Sequence, residues 1–172
     1  MLARGLCASF VCLLIVAAAG APARATIFLQ RSIAGVRIGM TKSQVRTVLG
    51  KPGYVKRGRT PAVKIRDRNG RLALGYYTEY RWPGLRVVFT GDRTVTSIST
   101  TRRSQRTPRG LGVGTTKQEL KARVAGLHCR VVLGSNYCYL GTLKYHTRTT
   151  VFYIESGRVS RIEVGLSYVR SQ

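Results

Sequence analysis

Two short stretches of the chain carry hydrophobic residues at the three- and four-residue spacing of an amphipathic helix. Each begins with a capping box, a Thr followed three residues later by Gln or Glu, at residues 41–44 and 116–119. Gly50 and Gly126 are of the residue type that commonly ends a helix. Helices of about two to three turns are unstable alone in water, so we expect both to pack on a sheet. The apolar residues of the two stripes are Val45, Val48 and Leu49 in the first and Leu120, Val124 and Leu127 in the second.

Segments rich in Val, Ile, Thr, Tyr and Phe predict β-strands in both halves of the chain. Turn dipeptides at residues 83–84, 91–92 and 156–157 separate neighbouring segments. Asn69 followed by Gly70 is a strong hairpin signal and indicates an earlier pair of strands around it. The predicted strands are 78–82, 85–90 and 93–100, followed by 129–133, 136–141, 149–155 and 158–167.

The pattern occurs twice. Residues 35–45, Gly-Val-Arg-Ile-Gly-Met-Thr-Lys-Ser-Gln-Val, return as residues 110–120, Gly-Leu-Gly-Val-Gly-Thr-Thr-Lys-Gln-Glu-Leu, at an offset of 75 residues with no gap. This repeat predicts an α+β fold of two tandem repeats, each a short helical segment followed by an antiparallel β-meander, with sheets that can join into one concave surface. The predicted organisation is a signal peptide at 1–25, repeat 1 at 26–101, an exposed basic connector at 102–109 and repeat 2 at 110–172.

The last hairpin of each repeat interrupts the alternating pattern of a strand. Val95 and Ile98 are three residues apart, and so are Val159 and Ile162. Strict alternation would place residues three apart on opposite faces of the sheet. Either a β-bulge or burial of both faces would explain the spacing.

The N-terminal segment has the pattern of an export signal. Arg4 is the only charged residue before an uncharged run at residues 6–21, and residues 23–25, Ala-Arg-Ala, have the form of a cleavage site. The run of 16 residues is shorter than the roughly 18 to 20 that cross a bilayer. Cleavage is therefore favoured over a retained anchor, residues 19–21 offer a second cleavage site, and no other segment is apolar enough to span a membrane. The expected location is secreted or extracytoplasmic, in the cell envelope.

Two cysteines, Cys129 and Cys138, remain after cleavage. Turn-forming residues at 134–136 lie between them, so the pair predicts a disulfide that joins the two strands of a hairpin. A C-x-x-C redox motif is missing, and His128 and His146 lie at no familiar metal-ligand spacing. We expect neither a metal nor a cofactor.

A strongly basic composition makes polyanions one class of expected partner. Cleavage after Ala25 removes Arg4 and Arg24 and leaves 28 Lys and Arg residues against six acidic residues, a formal charge of +22. Such a chain attracts acidic cell-wall polymers, anionic lipid headgroups and nucleic acid. The candidate polyanion contacts are Arg57, Arg59, Arg66, Arg68, Arg102, Arg103, Arg106 and Arg109.

The acidic residues do not form a catalytic pattern. Asp67 and Asp92 lie in predicted turns, and Glu119 belongs to a capping box. The other three acids lie on predicted strands, where a cross-strand ion pair with Arg is the favoured role. These strand acids are Glu79, Glu155 and Glu163. We therefore expect a protein that is not an enzyme.

The pattern Gly-x-x-x-Gly-Met-Thr-x-x-x-Val-x-x-x-Leu-Gly-x-Pro resembles a known group of proteins. It is similar to the α+β repeat of the SmpA/OmlA (BamE-type) outer-membrane lipoproteins and of the β-lactamase inhibitory proteins. The tandem copy makes the inhibitor type the closer architecture, which implies a concave sheet with helices behind it. The chain lacks the lipid-attachment motif of the BamE-type proteins, and no functional residue is transferred from either family. The matching residues are Gly35, Gly39, Met40, Thr41, Val45, Leu49, Gly50 and Pro52, then Tyr80, Trp82, Val87 and Phe89.

Aromatic residues in both repeats suggest a second class of partner, a protein held against the sheet. Tyr, Trp and Arg dominate protein interfaces. We therefore expect an exported binding module, in a cell-envelope or inhibitor-like role, with the polyanion binder as the alternative. The candidate binding residues are Tyr77, Tyr80, Trp82, Tyr137, Tyr139 and Tyr145.

The export signal leads to a prediction about the N-terminus of the exported protein. Cleavage after Ala25 should leave Thr26 as the first residue. Mass spectrometry of the intact protein from the medium or envelope would measure this. A mass that includes residues 1–25 would contradict cleavage, and a first residue of Pro22 would move the site to the earlier motif.

Overall fold

The computed structural model describes residues 26–66, 72–91, 93–144 and 146–167, and most of them lie in strands. Before the first helix come β1 (Ile27–Phe28), β2 (Ser32–Ile33) and β3 (Val36–Arg37). Helix α1 (Lys42–Leu49) leads to β4 (Tyr54–Arg66), β5 (Leu72–Trp82), β6 (Leu85–Thr90) and β7 (Thr94–Thr100). Helix α2 (Lys117–Arg123) leads to β8 (His128–Val132), β9 (Ser135–Gly141), β10 (Arg148–Glu155) and β11 (Arg158–Leu166).

The predicted fold class was wrong. The described chain is mostly β, and its eight longer strands form one antiparallel sheet in the order β4-β5-β6-β7-β11-β10-β9-β8. Strand β11 pairs with β7, with Ile162 opposite Thr100 and Gly165 opposite Ser97. This pairing joins the strands of the two halves into one sheet. It also satisfies backbone donors and acceptors that two separate sheets would leave unpaired at their edges.

A small three-stranded sheet that the sequence analysis did not predict precedes α1. Its order is β1-β2-β3, and its Ile27, Ile33 and Val36 side chains are fully buried. Strands of two residues carry too little pattern to stand out in a sequence. Strands β4 and β5 form the earlier pair that the hairpin signal indicated, and the turn at Asn69 and Gly70 lies outside the described residues.

Both helices begin where the capping boxes predicted. The Gln44 backbone N–H donates to Thr41 Oγ1 at 3.3 Å, and the Thr41 backbone N–H donates to Gln44 Oε1 at 2.9 Å. Thr116 and Glu119 make the same reciprocal pair at the start of α2. Hydrogen bonds from Thr116 to the Glu119 carboxylate lower the pKa of that group. Helix α2 ends at Arg123, short of the predicted end near Gly126.

The helices pack on one face of the large sheet, which we call the covered face. Arg46 of α1 reaches Tyr80 on β5, and Lys117 of α2 donates to Asn136 on β9. Alternation along paired strands then assigns the other members of this face. Its fully buried apolar residues are Val87, Phe89, Val95, Ile98, Phe152, Ile162 and Val164.

Two β-bulges keep this face continuous and confirm one of the two explanations offered for the three-residue spacing. In β7 the pairing partners of Val88 and Phe89 are Ser97 and Val95, so Thr96 is the extra residue. In β11 the extra residue is Ser160. Each bulged side chain donates its hydroxyl to a carbonyl of the neighbouring strand, Thr96 to Val88 at 3.2 Å and Ser160 to the strand β10 backbone at 3.3 Å.

The repeated glycine segments pair with the strands just at these bulges. Gly39 N–H donates to the Val95 carbonyl at 2.9 Å, and Val95 N–H donates to the Met40 carbonyl at 2.8 Å. Gly114 N–H and Val159 make the equivalent contacts in the second half. The two copies thus share local structure although the fold is a single sheet.

The predicted disulfide is present in the edge hairpin. Cys129 and Cys138 are directly opposite in the register of β8 and β9, and their sulfurs are bonded. The turn is formed by Leu133 and Gly134, both at positive φ, one residue earlier than the predicted cluster.

Removing this disulfide should destabilise the protein. In the chain-entropy model a closed loop of this size contributes about 2–3 kcal/mol to the free energy of unfolding. We expect the double variant C129S/C138S to lose about that amount in urea denaturation, compared with the oxidised parent. Reducing the parent with dithiothreitol should reproduce the loss. An unchanged urea midpoint in both cases would contradict a stabilising role.

Candidate binding face

The second face of the large sheet, which we call the open face, is defined by the strand positions that alternate with the covered face. The side-chain contacts of α1 and α2 fall on the covered face, for example Arg46 with Tyr80 and Lys42 over Phe89. The open face follows from the strand registers. Its members include Tyr54, Lys56, Tyr77, Glu79, Arg81, Arg86, Val88, Ser97, Ser99, His128, Arg130, Tyr137, Tyr139, Val151, Tyr153, Glu155, Arg161 and Glu163.

The structure divides the predicted aromatic residues between the two faces. Tyr77 and Tyr137 lie on the open face and are half-buried. Tyr139 lies there too but is only 6% exposed, because His128, Arg130 and Tyr137 surround its ring. Tyr145 lies outside the described residues.

Tyr80 and Trp82 are not on the open face, which corrects the predicted binding set. Tyr80 is 2% exposed, accepts a hydrogen bond from Arg46 Nη2 at 2.6 Å and packs edge-to-face on Phe89 at 4.9 Å. Trp82 is half-buried, and its Nε1 donates to the Lys51 carbonyl at 3.1 Å, just after α1. Both occupy positions of β5 that alternate with Tyr77, so one strand supplies core and surface in turn.

One end of the open face is built on strands β4 and β5. An added Cβ on Gly58 would lie 2.8 Å from the Tyr77 ring, so glycine here lets the ring rest on the backbone of β4. Tyr54 is 54% exposed, and the Arg81 guanidinium lies 5.6 Å from its ring centroid. This end therefore presents aromatic rings in contact with a cation.

The other end carries a second group of aromatic and cationic side chains. Arg161 lies 3.8 Å from the Tyr153 ring centroid, and Tyr153 is directly opposite Tyr137 across β10 and β9. Arg130 is in turn opposite Tyr137 on the edge strand β8. The row therefore runs Arg161, Tyr153, Tyr137, Arg130 across four strands.

Sequence reasoning missed the four arginines of this face. Arg81, Arg86, Arg130 and Arg161 were absent from both candidate sets. Arg81 lies two positions from Glu79 and four from Tyr77, and this spacing of two could have placed Arg81 on the same face of the strand as Tyr77. The other three needed the register between strands.

Glu79 is the buried acid of the open face. Its side chain is 2% exposed and forms ion pairs with Arg81 and with Arg86 Nη2, the latter at 2.7 Å. Burial by itself would raise the pKa of Glu79, but the hydrogen bonds and positive charges of the two arginines outweigh it and hold the pKa below its usual range. The predicted ion pair between Glu79 and arginine is therefore confirmed.

Glu163 behaves differently from the prediction. Its carboxylate accepts hydrogen bonds from Ser97 Oγ at 2.7 Å and from the Tyr153 hydroxyl at 3.4 Å, and no arginine lies within ion-pair distance in the part of the chain that the structure describes. Burial, together with the charge of Glu163, raises the pKa of Tyr153. Tyr153 therefore remains a neutral hydrogen-bond donor at physiological pH.

The predicted polyanion contacts do not form one patch. Arg57 and Arg59 lie on the covered-face side of edge strand β4, where Arg59 Nη2 donates to the Tyr76 hydroxyl at 3.2 Å. The side chain of Arg66 and the whole of Arg68 lie outside what the structure describes. The other four arginines follow β7 in the segment at 102–109: Arg102, Arg103, Arg106 and Arg109.

That segment is less exposed than predicted. Gln105 and Thr107 are buried, and the Arg106 carbonyl accepts from the backbone N–H groups of Thr26 and Ile27 at 2.9 and 3.0 Å. Arg109 Nη1 donates to a backbone carbonyl at the end of α2 at 2.7 Å. The segment is thus anchored at both ends.

The described residues offer few other kinds of site. They contain no group of three or more His, Cys, Asp and Glu side chains placed to hold a metal ion. Within the same ranges, every helix is too short or too polar to cross a bilayer.

Comparison with known proteins gives only distant likenesses. No family model and no curated protein matches the chain. The uncharacterized protein yfeY from Escherichia coli is similar over 82% of this chain and 97% of its own, at 14% identity and a TM-score of 0.45. An extracellular protein containing an SCP domain from Bacillus anthracis str. Ames is similar over 76% of this chain, at 9% identity and a TM-score of 0.42, and this chain spans 44% of its length. Likenesses at this level carry no functional argument, so the site is interpreted from its own residues.

The buried Glu79 leads to a prediction about stability. E79Q removes the charge that Arg81 and Arg86 share, so we expect a loss of about 1–3 kcal/mol in the free energy of unfolding near neutral pH. Because the pKa of Glu79 is lowered on folding, its contribution is fully present above the unfolded pKa and is lost as pH falls through the folded value. The difference between the parent and E79Q should therefore shrink below about pH 4.

Urea denaturation from about pH 7 to about pH 3 would measure this difference. The exposed E155Q, which makes the same charge change on β10, is the matched control and should have a small effect at all pH values. A difference for E79Q that grows as pH falls would contradict the assignment.

Proposed function

We propose that this chain is an extracytoplasmic binding protein, not an enzyme, that holds a protein partner against the open face. The observation that carries the proposal is the concentration of partly exposed Tyr and Arg side chains on the sheet face opposite the one that Arg46 and Lys117 of the helices contact. The two acids in the middle of that face are engaged by neighbouring side chains, Glu79 by arginines and Glu163 by hydroxyls, which favours binding over acid–base chemistry. The third, Glu155, lies exposed at the end of β10.

The composition of the open face is that of a protein interface. Tyr and Arg are enriched where binding energy is concentrated, and Tyr brings a large contact area with only two side-chain torsions. Val88 and Val151 add half-buried apolar surface between the two aromatic ends. The side chains stand on paired strands, which hold them more precisely than loops would.

The extracytoplasmic location is supported by two features. The disulfide between Cys129 and Cys138 is of the kind that persists in oxidising compartments. The uncharged N-terminal run followed by Ala-Arg-Ala has the pattern of an export signal.

The test compares two matched Tyr–Arg pairs on opposite faces. Arg130 and Tyr137 are directly opposite each other on the open face, and Arg59 and Tyr76 are directly opposite each other on the covered-face side of the edge strand β4. Both pairs lie at a sheet edge, and each double alanine variant removes one charge and one ring. The mature chain would serve as bait for the envelope and medium fractions of the producing cell.

We expect a specific protein to be retained at about 0.5 M salt by the parent and by R59A/Y76A, and to be lost with R130A/Y137A. Equal retention by both variants, or equal loss, would contradict a partner on the open face. Capture only at low salt, of many acidic species, would instead show that net charge does the binding, and the polyanion alternative would replace the proposal.

A further inference from the structure

A cleft of about 300 Å³ lies at one end of the open face, beside the turn between β5 and β6. Three arginines from three different strands line it, Arg81 of β5, Arg86 of β6 and Arg161 of β11. Two residues with hydroxyl groups also line the cleft: Ser99, near the end of β7, and Thr101, just after it. None of the described residues that line the cleft is acidic.

The positive charges of the cleft exceed the negative charges that face them. Arg81 and Arg86 share the single carboxylate of Glu79, which is almost fully buried beneath them. Arg161 has no carboxylate within ion-pair distance among the described residues. Glu163, two positions along β11 and opposite Ser99, accepts hydrogen bonds from Ser97 and Tyr153 and keeps its negative charge, so three arginines stand against two carboxylates. The cleft therefore keeps a surplus of positive charge.

The arginines are held in place before any ligand arrives. Arg86 is fixed by its 2.7 Å contact to Glu79, and Arg161 is stacked at 3.8 Å from the ring centroid of Tyr153. The Nε atoms of both arginines are buried and have no hydrogen-bond partner in the described part of the protein. Yet 42% of the Arg86 side chain and 50% of the Arg81 side chain remain exposed. Fixed guanidinium groups that remain reachable from solvent lose little freedom when an anion binds.

We propose that this cleft binds a carboxylate side chain from an acidic segment of the protein partner. The inference rests on the proposed function, because it assigns one contact of the same face. Guanidinium groups bind carboxylates through paired hydrogen bonds, and here three of them line one cleft. The strong positive charge of the whole chain favours an acidic partner.

A tryptophan at this cleft can serve as an intrinsic fluorescent probe of binding. Trp82 is its single tryptophan, and it lines the cleft together with the three arginines. Tryptophan fluorescence is therefore a reporter of binding at this cleft. We would titrate the mature chain with hexaglutamate, with hexaglutamine as the uncharged match and with inorganic phosphate as the competing anion. The proposal expects a saturable change with hexaglutamate, little with hexaglutamine, and weaker binding of phosphate.

Arg161 is the residue to change, since it makes no ion pair that the fold would lose. We expect R161Q to weaken hexaglutamate binding about 10-fold and R161K, which keeps the charge but not the planar fork, to have an intermediate effect. R37Q makes the same charge change on the small sheet and should alter the affinity less than about two-fold. Far-ultraviolet circular dichroism and the urea midpoint would show that each variant is folded.

Three results would overturn the proposal: no saturable change with hexaglutamate, equal effects of R161Q and R37Q, or tighter binding of phosphate than of hexaglutamate. The outcome is separable from that of the proposed function. A partner lost with R130A/Y137A but bound normally by R161Q would leave the open face as the interface and remove the cleft from it. If hexaglutamate binding depends on Arg161 but no protein is captured, the anion site would be supported and the proposed protein partner would be contradicted.

Discussion

The pairing of β7 with β11 is the interaction on which the rest of the structure depends. It joins four strands from each half of the chain into one sheet, through only four paired positions from Ser97 to Thr100. Gly165 permits it, since an added Cβ there would lie 3.2 Å from the Thr96 carbonyl and 3.3 Å from Ser97. Without this contact both strands would be open edges, and the open face would be two separate surfaces with half the width.

The bulges determine which side chains share a face. A slip of one residue in a strand exchanges its core and solvent faces, so the extra residues at Thr96 and Ser160 realign the remainder of β7 and β11 with their neighbours. Val95 and Val159 can then be buried together with Ile98 and Ile162. The same realignment leaves their backbone groups free to pair with the glycine segments before each helix, which fixes the helices on the covered face.

The few acids of this basic protein organise its cations. Glu79 holds two arginines by ion pairs, and Glu163 holds the hydroxyl of the tyrosine on which Arg161 stacks. Both acids lie on the open face, so arginines there are ordered by neighbours instead of being spread freely in solvent. Ordered arginines beside tyrosines are suited to a specific contact, whereas Arg102 and Arg109 after β7 donate to the backbone carbonyls of Pro83 and Arg123.

Features governed by residues close in sequence were determined by the sequence alone. The capping boxes at Thr41 and Thr116 and the disulfide hairpin of Cys129 and Cys138 each depend on contacts within about ten residues. The three-residue spacing of valine and isoleucine left two explanations, and the strand registers decided for the bulges. A cross-strand ion pair of Glu79 with an arginine was also predicted, although which arginine makes it depends on the register of β5 and β6.

The fold class and the membership of the binding face were decided only by the tertiary structure. The pairing of β7 with β11 joins residues more than sixty positions apart. The repeat pattern is compatible with one sheet or with two, so it could not predict this pairing. Tyr77 and Tyr80 are residues of the same type and lie three positions apart, yet Tyr77 lies on the open face and Tyr80 in the core. Which of them faces solvent depends on the side that the helices cover, and that is settled by packing between elements far apart in the chain.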